Sequence, residues 1–423
     1  MRAQVAERHE TLAAGFEAFR REPAFGTGAI ARAREEAFAR FLTRGFPTIR
    51  DEEWRFTSVA PITATPFERA GADAPAAAEI APYLFDAVPA RVVLVNGRLV
   101  EALSSAALPA GVTVQVRMGA APAPAGAHAF VDLNAAFFEQ SVLLEVAPKA
   151  VVPAPIHLLH VVSADGGPAM ASPRVQLVVG EQAEVSVVES YVTIGDAPAT
   201  FTNVVVQAAV GAGAIVRHVK LQDESLRAFH LASTFIEVAR AGTFTSQAIT
   251  LGGRIARHDI LAVLAGEGAE CTLNGIYVAD GDTLVDTHTT IDHAMPHCPS
   301  HEVYKGILGG RAKAVFNGKI IVRPDAQKTD AKQTNKALLL TDDAQINTKP
   351  QLEIFADDVR CTHGAAIGQL DEDAMFYLRA RGIATLDARN MLIHAFAGEV
   401  LDGIAIEAVR EHAMHRIEEK LSL

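Results

Sequence analysis

The chain has 423 residues, 49% of them hydrophobic and only 6% aromatic, and a net charge of −12. That balance gives enough apolar content for a large core, and it excludes the clustered Lys and Arg of a nucleic-acid binder or of an anionic membrane surface. Three cysteines make no disulfide framework, the opening MRAQVAERHE lacks the apolar run of a signal peptide, and no stretch reaches the ~18 apolar residues of a membrane helix, so a cytoplasmic protein is expected.

Residues 1–88 read as an N-terminal helical region and linker. In RHETLAAGFEAFRREP, Leu12, Phe16 and Phe19 recur at helical spacing until Pro23. AIARAREEAFARFLTRG repeats the pattern with Ile30, Ala37, Phe38, Phe41 and Leu42, and Gly45 suits its C-terminal cap. A Pro- and Ala-rich stretch, 61–89, reads as a connector with little regular structure.

Residues 89–367 change texture. Short β-prone runs alternate with turns: RVVLVNG, SVLLEVAP, IHLLHVVS, RVQLVVG, AEVSVVESYV, TNVVVQAAVG. Helical periodicity is hard to find. Turns recur at Gly180, Gly211, Gly242, Gly266, Gly309 and Asp342, roughly 25 to 45 residues apart. This predicts a β-solenoid with variable corners, since the segment is long for one β-sandwich.

Residues 368–423 return to helix. LDEDAMFYLRARGI starts on Asp371, a good N-cap, and ends at Gly382. TLDARNMLIHAFAGEVL follows, with Leu386, Ile393, Phe396 and Val400 as its apolar stripe, then AIEAVREHAMHRIEEKL. Without a long linker before them, these helices are expected to pack on the end of the solenoid, covering its open strand edge.

Three stretches carry candidate chemistry. FNGKI has a Gly-Lys but no P-loop around it, so autonomous nucleotide binding is not expected. DTHTTIDHAMPHCPSHEVYKG gathers His288, His293, His297, Cys298 and His301, good ligands for zinc, iron or copper. Its spacing matches no zinc motif, and on a strand His288 and His293 face opposite sides, so a structural polar corner is predicted. In ADDVRCTHGAAIG, an extended chain puts Val359, Cys361 and His363 on one face. Two ligands are not a site, because iron–sulfur clusters and zinc take four. The pair could share one soft metal ion, or His363 could lower the thiol pKa; otherwise it is core-facing without a role, or its missing ligands come from another chain. A Cys-His hydrolase lacks an oxyanion loop and an orienting group.

NKALLLTDDAQINTKPQLEIFADDVRCTHGAAIGQLDEDAMFYLRARGI, residues 335–383, resembles the signature of the SufB/SufD family, scaffold subunits of iron–sulfur cluster assembly. HAMPHCPSHEVYKGIL and GFPTIRDEEWRFT resemble two further segments of that family. The resemblance implies a right-handed parallel β-helix between helical ends. It implies a non-catalytic subunit that pairs with SufB and docks the ATPase SufC through residues 368–423, with Phe376, Tyr377, Arg379, Leu392 and Phe396 as contacts. It also places His363, helped by Cys361, at the SufB interface, where a transient iron–sulfur cluster or iron is shared. No tightly bound cofactor is expected in the isolated chain, and a homodimer is an option for it. QTNKALLL, Gln333–Leu340, lacks the thiol that SufB carries in the corresponding stretch. Two rival readings are a polysaccharide-acting β-helix enzyme, disfavoured by one Trp and five Tyr, and a stand-alone metalloprotein built on the 288–301 histidines.

Overall fold

The computed structural model describes residues 2–119 and 127–421. From Arg174 to Gly368 successive strands alternate between two sheets, so each strand pairs in parallel with the strand two places on. One turn takes 26 residues where Phe229 sits beside Ile255 and 32 where Lys313 sits beside Gln345. The result is the expected parallel β-solenoid, of about eight turns, between helical regions.

The turns read from the sequence belong to two different edges. At Gly180, Gly211, Gly242 and Gly266 the chain crosses from the first sheet to the second, whereas Gly309 and Asp342 lie on the return crossing. The corner at 294–298 was missing from that series, and the mixing made a regular repeat look irregular. Glycine is required where stacked corners approach: a Cβ on Gly266 would lie 2.0 Å from the Arg240 nitrogen of the preceding coil.

Period-2 alternation fills the lumen. Val204, Val206 and Ala208 of the first sheet meet Val185, Val187 and Val216 of the second in one core. The outward rows are covered by helices. Arg2–Phe19 and Gly28–Arg44 form where expected, and Gly45 closes the second with φ +70 and an N–H bond to Phe41 O. Their Phe16, Phe19, Phe38 and Phe41 pack with Met170, Phe201, Phe229 and Ile255 on the first sheet. A helix at Ala129–Phe137, inside the region read as strands, joins this layer. It is buried almost all round, so it has no polar face to mark a 3.6-residue period.

The C-terminal helices do not cap the solenoid end. Ile393, Ala397 and Val400 of Thr385–Leu401 and Val409, Ala413 and Ile417 of Glu407–Leu421 pack on Val219, Leu221, Ile249, Ile276, Val278 and Ile307 of the second sheet. Arg416 fixes the last helix to Asp223 at 2.6 Å. The outward apolar row of that sheet is a larger target for burial than the end of one coil, and the end stays open. Leu386, expected in the buried stripe, is 55% exposed.

Candidate functional site

The last two strands, Gln345–Ile354 and Arg360–Gly368, are the final members of the two sheets. None of their residues is buried. The first carries Lys349 and Pro350, which blunt an edge, and Lys349 pairs with Glu52 at 2.6 Å. The second carries neither lysine nor proline, and Ile354, Phe355 and Ile367 are exposed around it. An unpaired strand edge with apolar neighbours is a template for another chain.

Register places Ala331 beside Cys361 and Gln333 beside His363 on the preceding coil. Cys361, His363, Ala365 and Ile367 therefore continue the lumen-facing rows, as the shared-face reading expected. Cys361 is half-buried against Ala326, Ala331 and Ile320, whereas His363 is exposed at the lumen mouth. Of the alternatives for the pair, activation of the thiol finds no support. Partial burial raises the Cys361 pKa, Asp330 adds to the rise, and only a backbone hydrogen bond at Ala331 opposes it. This sulfur is a resting thiol in the isolated chain.

Behind His363 lies a pair that the sequence reading missed. Glu302 and Gln333 occupy the same inward row, one coil apart. Gln333 donates from Nε2 to Glu302 Oε2 at 2.6 Å, and both side chains are buried. Gln333 reaches across the lumen to Gly318, where a Cβ would lie 2.3 Å from its Nε2. Gln333 Oε1 is buried without a hydrogen-bond partner. Burial raises the Glu302 carboxyl to about 7, against the opposing bond from Gln333. The available signal was a charge at an inward position of an alternating strand.

The same signal marks a closed network deeper in the lumen. Glu189 accepts from Tyr191 at 2.6 Å and faces His218 at 3.0 Å, while Glu224 pairs with His230 at 2.7 Å. Lys220 Nζ lies 3.1 Å from His230 Nε2, and burial lowers its pKa to about 8.

The histidine-rich corner is dispersed. His288 points outward between Glu53 at 3.2 Å and Asp286 at 3.0 Å. Burial opposes its charge, but Asp286 wins and raises its pKa to about 9. His293 points inward, with Nε2 3.0 Å from Ser300 Oγ, and burial lowers its pKa to about 4. His297 and His301 are exposed, and Cys298 donates to Gly266 O at 3.4 Å. Among the described residues no group of three or more His, Cys, Asp or Glu is placed to hold a metal ion.

GFPTIRDEEWRFT forms a strap over the first sheet. Trp54 covers the Arg257 guanidinium at 3.8 Å, and Thr57 donates to Asp286 at 2.5 Å. On the helix Glu372–Arg379 no residue is buried, and Phe376 and Tyr377 are 73% and 55% exposed. Asp371 caps that helix by accepting from the Ala374 N–H at 2.9 Å. Arg379 is exposed beside them, but Leu392 and Phe396 are half-buried, and the Phe396 ring and carbonyl hold Lys305. No helix among the described residues is long and apolar enough to cross a membrane.

Residues 160–396 match the family model of the SufBD core domain, described as SUF system FeS cluster assembly. The chain is 34% identical to the iron–sulfur cluster assembly protein SufD of Escherichia coli, with 92% of each chain covered. It is 35% identical to a SufBD family protein of Synechocystis, over 86% of this chain and 85% of the relative. A chloroplast protein of Arabidopsis thaliana, ABCI7, is 33% identical over 59% of this chain and 52% of its own length. With its solenoid, its helical flanks and these relatives, the chain belongs to the SufB/SufD family of iron–sulfur cluster assembly proteins and is SufD-like within it.

Proposed function

We propose that this chain is a non-catalytic scaffold subunit whose open solenoid end pairs with SufB and whose C-terminal region docks the ATPase SufC. The observation that carries the reading is the bare last coil, with His363 exposed at the lumen mouth and Cys361 on the same row. The nascent cluster or iron is cargo. The chain offers two donors, fewer than the four of a complete site, so a second subunit must supply the rest. A neutral imidazole is a competent but labile iron ligand, which suits a site that releases what it builds. Cys361 has the weaker part, because burial keeps its thiol protonated.

The exposed Phe376 and Tyr377 are the better candidates for SufC contact, since Phe396 already serves the internal packing and Leu392 is half-buried. Deleting residues 385–423 is a poor test, because it strips the cover from the second sheet. Phe376→Ala with Tyr377→Ala keeps that cover and should weaken SufC binding.

The polysaccharide reading finds no support in the aromatic placement. Tyr191, Tyr277 and Tyr304 face the lumen and Trp54 is buried within the strap, so none of the four offers a sugar platform.

The deciding experiment is His363→Ala in the complex assembled with SufB and SufC. Assembly should be unchanged and cluster formation should fall sharply, with Cys361→Ala less harmful. Cluster formation at the normal rate in the His363→Ala complex would overturn the reading.

A further inference from the structure

We propose that Glu302 and Gln333 are positioning residues for His363: the Gln333 amide, anchored by Glu302 and seated on Gly318, presents its carbonyl oxygen to the imidazole and fixes which ring nitrogen faces outward. The inference deepens the reading of His363 as a ligand and rests on it. Three observations carry it. Glu302, Gln333 and His363 stand in one inward row on three successive strands. The amide turns its donor end to Glu302, with Nε2 2.6 Å from Oε2. Its other end, Oε1, is buried without a hydrogen-bond partner, one strand from His363.

The geometry has a chemical purpose. Adjacent strands lie about 4.8 Å apart, so an amide oxygen and an imidazole in register reach one another through side-chain rotation alone. An imidazole presents a lone pair on one nitrogen only if the other carries the proton, and a carbonyl acceptor holds that proton in place. Ligating histidines ordinarily donate their second N–H to a carboxylate or carbonyl for this reason. Glu302 acts one step further back. By accepting from Nε2 it holds the donor end of the amide away from His363, where an N–H would compete for the wrong nitrogen. Gly318 leaves room for this arrangement, since any side chain there would occupy the position of the amide.

The test reads the tautomer of His363 in the full chain labelled with nitrogen-15 histidine, using His363→Ala to assign the signal. The wild type should show one predominant tautomer. Gln333→Met keeps the shape but removes the acceptor, and the minor tautomer should gain about fivefold, the factor expected from one ordinary hydrogen bond. Gln333→Glu restores an acceptor and should restore the single tautomer. Circular dichroism and thermal unfolding identify a variant that has lost its fold, and either substitution alone then decides the matter against the wild type. Identical tautomer ratios in wild type, Gln333→Met and Gln333→Glu would overturn the proposal. Its failure is separate from that of the ligand reading: normal cluster formation with His363→Ala would remove the purpose of the relay while leaving the tautomer measurement intact.

Discussion

The middle coils and the last coil of the solenoid are built from the same alternating strand but differ in what their inward side chains meet. Around Glu224 the lumen closes on itself: the carboxylate accepts from Gln222 at 3.0 Å and from Thr202, lies 2.7 Å from His230 Nδ1, and has Lys220 beside it. Two carboxylates and a lysine are tolerated there because each neighbouring coil supplies a partner. At the other end no next coil exists. His363 faces solvent, Gln333 Oε1 and Thr348 Oγ1 are buried without hydrogen-bond partners, and the strand edge is bare. A middle coil meets a neighbouring coil on both sides, whereas the last coil is stacked on one side only, and such an end is suited to receive a second molecule.

The largest effect should come from opening a closed part of the molecule. Arg257 is buried under Trp54, 2.5 Å from Asp286 and 2.7 Å from Asp259. Arg257→Ala removes the guanidinium shared by two carboxylates and should cost about 3–5 kcal/mol in urea unfolding. Lys349→Ala at the open end should stay within about 0.5 kcal/mol, because its partner Glu52 is exposed. Equal losses would erase the distinction between the two regions.

Glu302 lies between the regions and gives the next effect. Burial raises its carboxyl from 4.5 to about 7, so the folded chain favours the neutral acid. Its contribution to stability is therefore full below pH 4.5 and is lost as the pH rises through about 7. Glu302→Gln cannot ionise, and between about pH 5 and pH 8 it should gain about 1–3 kcal/mol relative to the wild type. A constant difference across that range would show that Glu302 is not held neutral.

The histidine corner gives the smallest effects and separates inward from outward positions. His293→Ala removes a buried partner of Ser300 and should cost about 1–3 kcal/mol. His297 is exposed with φ +60, so His297→Gly should be neutral or slightly stabilising in thermal unfolding. Comparable losses at the two positions would contradict the assigned directions.

The solenoid was legible because alternation of Val, Ile and Leu with turns leaves a period-2 trace, and the shared face of Cys361 and His363 followed from the same period. Helix ends marked by Gly45, Asp371 and Gly382 were legible for the same local reasons. The helix Ala129–Phe137 was not, because complete burial erases amphipathic contrast. Nor was the site of C-terminal packing, which depends on which outward row is most apolar after the coils have stacked. Glu302, Gln333 and Gly318 lie 31 and 15 residues apart in the chain and meet only through register across the lumen. Pair spacing along one strand exposes Cys361 and His363, whereas a column running across strands leaves no local pattern.

The most direct test of the open end as a docking site is amide hydrogen exchange in the presence and absence of SufB. Amides of Arg360–Gly368 should slow by about tenfold or more on addition of SufB, as edge groups gain partners, while those of Thr200–Val210, already stacked on both sides, should not change. Unchanged exchange at Arg360–Gly368 alongside new protection confined to the helical flanks would contradict the account.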